Sequence, residues 1–214
     1  MKRLFFTLFF VNAFVLGMFA QTPMGKGAIA GALDFGFSTE TEKTGSHEVK
    51  SNSFEIAPSF GYLVIDNLMA GLEIGYKNSS YEVPGTSSTT TTTTSIFGVR
   101  PFLRYYNMVN EKAGFFGEFG VGFGSGKNEV EFKPTGSGTT ITTKKDVSVL
   151  DLGLKFGAVY FISNRFAIEA KYGNIGYEAA TYEPDGGGEK TEQSGFDINL
   201  KMSTLQFGLV LHLH

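Results

Sequence analysis

Eleven charged residues pose the first chemical question. Asp34, Glu55, Glu73, Glu118, Asp151 and Glu169 are carboxylates, and Lys77, Arg100, Arg104, Lys155 and Lys171 are cations. Each lies in a stretch where small or polar residues alternate with apolar ones, so together they occupy one face of successive strands. Such residues gathered in one interior can relay ions or protons, or they can pair and fill the space. A conducting path calls for a ring of one sign. Mixed signs in a narrow interior pair and close it. The expectation is an interior charge network that acts as a plug.

Other chemistry is poorly supplied. The histidines are His47, His212 and His214. A catalytic arrangement needs a histidine converging with Ser, Asp or Glu from elsewhere in the fold. Ser46 and Glu48 merely flank His47 in sequence. No histidine pair has ligand spacing, and with no Cys there is neither a thiolate site nor a disulfide. The Gly120, Gly122, Gly124, Gly126, Lys127 run looks like a phosphate loop. Its glycines alternate as a strand face, however, and Asn128 stands where Ser or Thr is required. Glu178, Glu183, Asp185, Glu189 and Glu192 read as a solvated acidic loop. No catalytic, cofactor-binding or metal-ligating residue is expected.

The elements that must position the charges are strands. Period-two alternation runs through 26–38, 53–62, 68–77, 97–105, 113–124, 150–160, 166–173 and the C-terminal segment from Leu205. This gives eight strands of about ten residues, the length of a tilted transmembrane strand. Connections alternate between short (64–67, 107–112, 162–165) and long (39–51, 78–95, 125–146, 178–195). The predicted fold is all-β, an eight-stranded antiparallel up-and-down transmembrane β-barrel. A soluble up-and-down barrel would show the same period with its apolar face inward. Tyr and Phe near both ends of the apolar face, as in interfacial girdles, favour the membrane form.

Both chain ends agree. Lys2 and Arg3 precede an apolar run from Leu4 to Phe19, then Ala20, the plan of a signal peptide over 1–20. The barrel domain would be 21–214, and its net charge would go from −3 to −5 as the two leader cations leave. An acidic balance argues against nucleic acid. Gln206, Phe207, Gly208, Leu211 and Leu213 resemble the C-terminal assembly signal of outer-membrane barrels, with leucines where aromatics are usual.

The stretch from Pro58 to Tyr76, with Pro101–Tyr106 and Tyr160–Glu169, resembles the turn regions of small outer-membrane β-barrel proteins of the OmpX/opacity type. The resemblance implies location in the bacterial outer membrane, with both termini periplasmic and the long loops extracellular. It implies as partners outer-membrane lipid and lipopolysaccharide, the barrel assembly machinery, and another envelope protein or a host surface. Function then falls to the loops. Thr86–Ser95 reads as a mobile low-complexity loop. Glu129, Val130, Glu131 and Phe132 with Thr140, Ile141 and Thr142 read as a protruding hairpin, whose edge either takes a partner strand or merely shields the barrel mouth. The leading expectation is a structural or surface-interaction role without catalysis. A narrow channel for ions or small solutes is the alternative, and a lipid A-modifying enzyme the third.

Overall fold

The computed structural model describes residues 24–44, 47–136, 139–200 and 204–213. The expected leader, its cleavage point before Gln21, and His214 lie outside them. Nine strand segments follow in chain order: β1 Ile29–Thr44, β2 His47–Ile65, β3 Leu68–Pro84, β4 Ser88–Met108, β5 Ala113–Pro134, β6 Ile141–Phe161, β7 Phe166–Pro184, β8 Thr191–Asn199 and β9 Gln206–Leu213. Every neighbouring pair is antiparallel, and the ladders run from β1 through β7 and return to β1 through β9. β8 and β9 both pair with β7 and share one position in the ring, which is the eighth of the expected strands.

Burial is reversed relative to a soluble barrel. Phe60, Leu72, Leu103, Phe119, Leu152, Ile168 and Phe207 point outward and are exposed, while Asp34, Glu73, Arg104, Glu118, Glu169 and Lys171 are buried within. Strand alternation produces this directly, because successive side chains take opposite faces. At the end with the short turns, the lumen is filled by an apolar floor of Met24, Leu63, Met69, Phe102, Tyr106, Met108, Phe116, Val159, Phe161 and Val210. The turn between β2 and β3 is tight, and Asn67 takes φ 65° there, a left-handed conformation that Asn tolerates.

The strands are much longer than the expected ten residues: β4 has 21 and β5 has 22. The predicted long loops are largely the upper halves of strands, which rise past the apolar band as paired hairpins. Thr86–Ser95 is not a mobile loop. Thr89–Thr94 of β4 pair with neighbours on both sides, β3 at Ser79–Pro84 and β5 at Asn128–Lys133. β-Branched threonines suit a pleated, half-buried surface. Backbone amides of Thr89–Thr94 should therefore exchange as slowly as those of the band, which hydrogen-exchange mass spectrometry would read. Exchange within the fastest phase would remove these ladders.

The protruding hairpin forms, with Val130–Phe132 paired to Ile141–Thr143, but the expectation of a free edge on its first limb needs correction. Glu129, Val130, Glu131 and Phe132 are laddered to β4 as well as to β6, so that limb is interior to the sheet. Only Ile141–Lys144 of the other limb stands beyond the end of β7, and Thr140 precedes the strand. The long unpaired edges lie elsewhere, on the upper part of β1 and on β8.

Candidate functional site

Nine of the eleven predicted charges meet in one layer across the lumen. Arg104 on β4 lies at 2.5 Å from Glu118 on β5 and 2.8 Å from Glu169 on β7. Lys171 on β7 reaches Asp34 on β1 at 2.7 Å and Glu73 on β3 at 3.2 Å. Lys155 on β6 approaches Glu73 at 3.7 Å. Arg100 bonds Glu118 at 3.3 Å and Asp151 at 3.5 Å, and donates to the Gly153 carbonyl at 3.1 Å. Strands β3 and β7 stand on opposite sides of the ring, as do β4 and β7 nearly so. The pairs therefore bridge the interior rather than decorate its wall.

Arg104 joins this ionic layer to the apolar floor. Its guanidinium sits 4.4 Å from the centre of the Phe116 ring and donates to the Tyr106 hydroxyl at 3.0 Å. A cation over an aromatic face is held by the ring quadrupole. Phe102, Tyr106 and Phe116 are not among the site residues expected from sequence, although Phe102 and Phe116 fall on the charged face. Their even positions put them in phase with Arg100, Arg104 and Glu118, and that parity was the available signal.

The remaining two charges stand higher. Glu55 and Lys77 face one another across the β2–β3 ladder and line the upper lumen, without an ion pair among the described residues. This upper space is a cavity of about 620 Å³ above the ionic layer.

The glycines of the inward face make room for these side chains. A methyl group at Gly208 would overlap the Asp34 carboxylate and the Glu169 side chain, and one at Gly120 would overlap the Arg100 guanidinium. These glycines accommodate large groups on neighbouring strands. Gly208 thus has a packing role beside its place in the C-terminal pattern. In that pattern Phe207, Leu211 and Leu213 face outward, while Gln206 is buried at the top of β9. Gly208→Ala should lower the midpoint of urea unfolding, and a silent substitution would count against this packing.

The other candidates do not converge. His212 is buried at the turn end with its ring 5.0 Å from that of Phe161. Of the acidic residues at the β7–β8 hairpin, Glu183 pairs with Lys190 at 2.9 Å and Asp185 approaches Lys127 at 3.8 Å. No group of three or more metal-binding side chains occurs among the described residues.

An apolar exterior band, a charged interior and an antiparallel ring define the class as transmembrane β-barrel. The outer membrane protein beta-barrel domain model matches residues 19–173, and the chain belongs to that family. The family places it in the bacterial outer membrane. Among solved structures, the translocator domain of the autotransporter NalP from Neisseria meningitidis aligns with a TM-score of 0.50 at 11% identity, over 94% of this chain and 91% of that one. The outer membrane protein OprG from Pseudomonas aeruginosa gives 0.39 at 13%, over 91% and 100%. A major outer membrane protein from Thermus thermophilus gives 0.48 at 14%, over 86% and 99%. The NalP likeness concerns the fold alone. A comparison with curated protein sequences returned no match.

Proposed function

We propose that this is a non-catalytic, non-conducting outer-membrane barrel that acts through its hairpin end as a structural or surface-interaction protein. The cross-lumen ion-pair layer carries this reading. Arg104, Glu118, Glu169, Lys171, Asp34 and Glu73 are all buried and mutually paired, directly above an apolar floor. An eight-stranded interior is only wide enough to be filled by side chains. Ions would have to break several buried pairs and cross an apolar layer, which disfavours the narrow channel.

The orientation that goes with it sets the short turns and both chain ends in the periplasm and the hairpins outside. Short turns at one end and extended polar strands at the other support it. Partners in this reading are lipopolysaccharide, the assembly machinery during biogenesis, and an envelope protein or host surface at the hairpins.

The test is single-molecule conductance in a planar bilayer. The purified, folded protein should give no unitary currents. Stable openings in the unaltered protein would replace this reading with a channel.

A further inference from the structure

The ring is complete only in its lower half. Among the described residues, β1 pairs with β9 over Ile29–Gly36, and above Gly36 its ladder is with β2 alone. Among them too, β8 is laddered to β7 alone. The facing lengths of β1 and β8 lie more than 8 Å apart nearly throughout, well beyond the roughly 5 Å of paired strands. The wall is therefore split from about Phe37 upward, and the split opens into the 620 Å³ cavity.

The sequence explains the split. Between Asn199 and Gln206 the chain has six residues where β7 has two, Tyr172 and Gly173, between the matching ladder partners. Gly173 has φ +79° and its amide donates to the Thr204 hydroxyl, while the Tyr172 hydroxyl bonds the Leu200 carbonyl. Leu200 and Thr204 are thus each held to β7. Carrying the β1–β9 register upward past it sets Glu40 level with Asp197. Like charges directly opposite disfavour a cross-strand pair.

The cavity behind the split is acidic. Glu40, Glu55, Glu178 and Asp197 line it without an ion pair among the described residues, against Lys77 as the corresponding cation. Exposed apolar side chains flank the split on the outer surface: Phe37 on one edge, Phe196 and Ile198 on the other. Phe37 stands level with Phe54 at the top of the apolar band. Unpaired backbone at membrane depth is tolerated where it lines a polar cavity.

The geometry points to a side-opening binding site for a small cationic amphiphile, beyond the structural role proposed above. Its charged head sits in the upper lumen among the carboxylates, and its apolar tail leaves through the split past Phe37 and Ile198 into lipid. The ionic layer below gives the site a floor and prevents transit.

The protein in zwitterionic nanodiscs is titrated with octyltrimethylammonium and followed by calorimetry, with empty nanodiscs as the blank. Saturable uptake of about one molecule per barrel is expected. Octyl sulfate should show blank partitioning only, and tetramethylammonium should bind at least about tenfold more weakly. Asp197→Lys places a cation opposite Glu40, draws the edges together and should abolish saturable binding. The split is read separately with a Thr39→Cys, Ile198→Cys pair. Cysteines so far apart cannot bridge, so the pair should stay reduced under oxidant and should oxidise once Asp197→Lys is added. If Asp197→Lys fails to fold by heat-modifiable gel mobility, Glu40→Gln with Glu178→Gln is used, with a loss of about tenfold expected. Equal uptake of octyl sulfate, undiminished binding in the charge variants, or ready oxidation beside native Asp197 would each overturn the site.

Discussion

Arg104→Met should destabilise the folded barrel by about 3–5 kcal/mol, the usual cost of removing one partner from a buried ion pair. Arg104 is 1% exposed and bonds two carboxylates, Glu118 and Glu169, which are equally buried. Methionine preserves the stem that packs among Phe102, Tyr106 and Phe116, so the loss isolates the charge. Glu118 retains its 3.3 Å contact with Arg100, and Glu169 retains Lys171 at 3.6 Å. Those longer contacts hold the expected cost within that range. Arg104→Lys should fall between, because an ammonium cannot reproduce the forked contact to Glu118. Urea titration in lipid vesicles, read by heat-modifiable gel mobility, gives the number. A shift below about 0.5 kcal/mol for the methionine variant would mean that the layer is not a working network.

Leu72→Arg is the second large effect, at about 2–4 kcal/mol. Leu72 lies midway along the apolar band on β3, opposite Phe60 and Pro101 on its two neighbours, and points outward. A guanidinium there must reach for a headgroup region or thin the lipid around it. Ser80→Arg, eight residues on along the same strand and so on the same face, just above the band, should cost at most about 1 kcal/mol. The pair of variants shares chemistry, strand and face, so depth alone separates them. Equal costs would mean that the exposed apolar side chains do not contact hydrocarbon.

The apolar band was legible because each of its strands has two unlike faces. Phe60 and Tyr62 against Ser59 and Gly61 fix both period and phase, and short turns such as Asp66–Asn67 mark the ends. The charge layer followed from the same parity. Above the band both faces are polar, and hydropathy loses its contrast. Thr89–Thr94 offer the same residue to both faces, so alternation is invisible, although the ladders on both sides are continuous. The apolar floor was obscured for a related reason: Phe102 and Phe116 read as interruptions in a charged face. The split between β1 and β8 depends on a count of residues between ladder partners. That count has no meaning until β7 supplies the matching register.

The ionic layer also has a bearing on how the ring closes. Asp34 and Lys171 are 137 residues apart and bond across the position of β9. Until β9 settles between β1 and β7, Asp34 and Lys171 are not held at bonding distance, although Lys171 also reaches Glu169 on its own strand. A one-residue slip of β9 would turn Gly208 outward and thrust Phe207 against Asp34 and Glu169. The C-terminal strand is thus tested twice as it docks, once by lipid on its outer face and once by volume on its inner one. Hydrogen bonding along a strand edge is indifferent to register. Here the final seam is proofread at Gly208, where any larger side chain must displace Asp34 and Glu169.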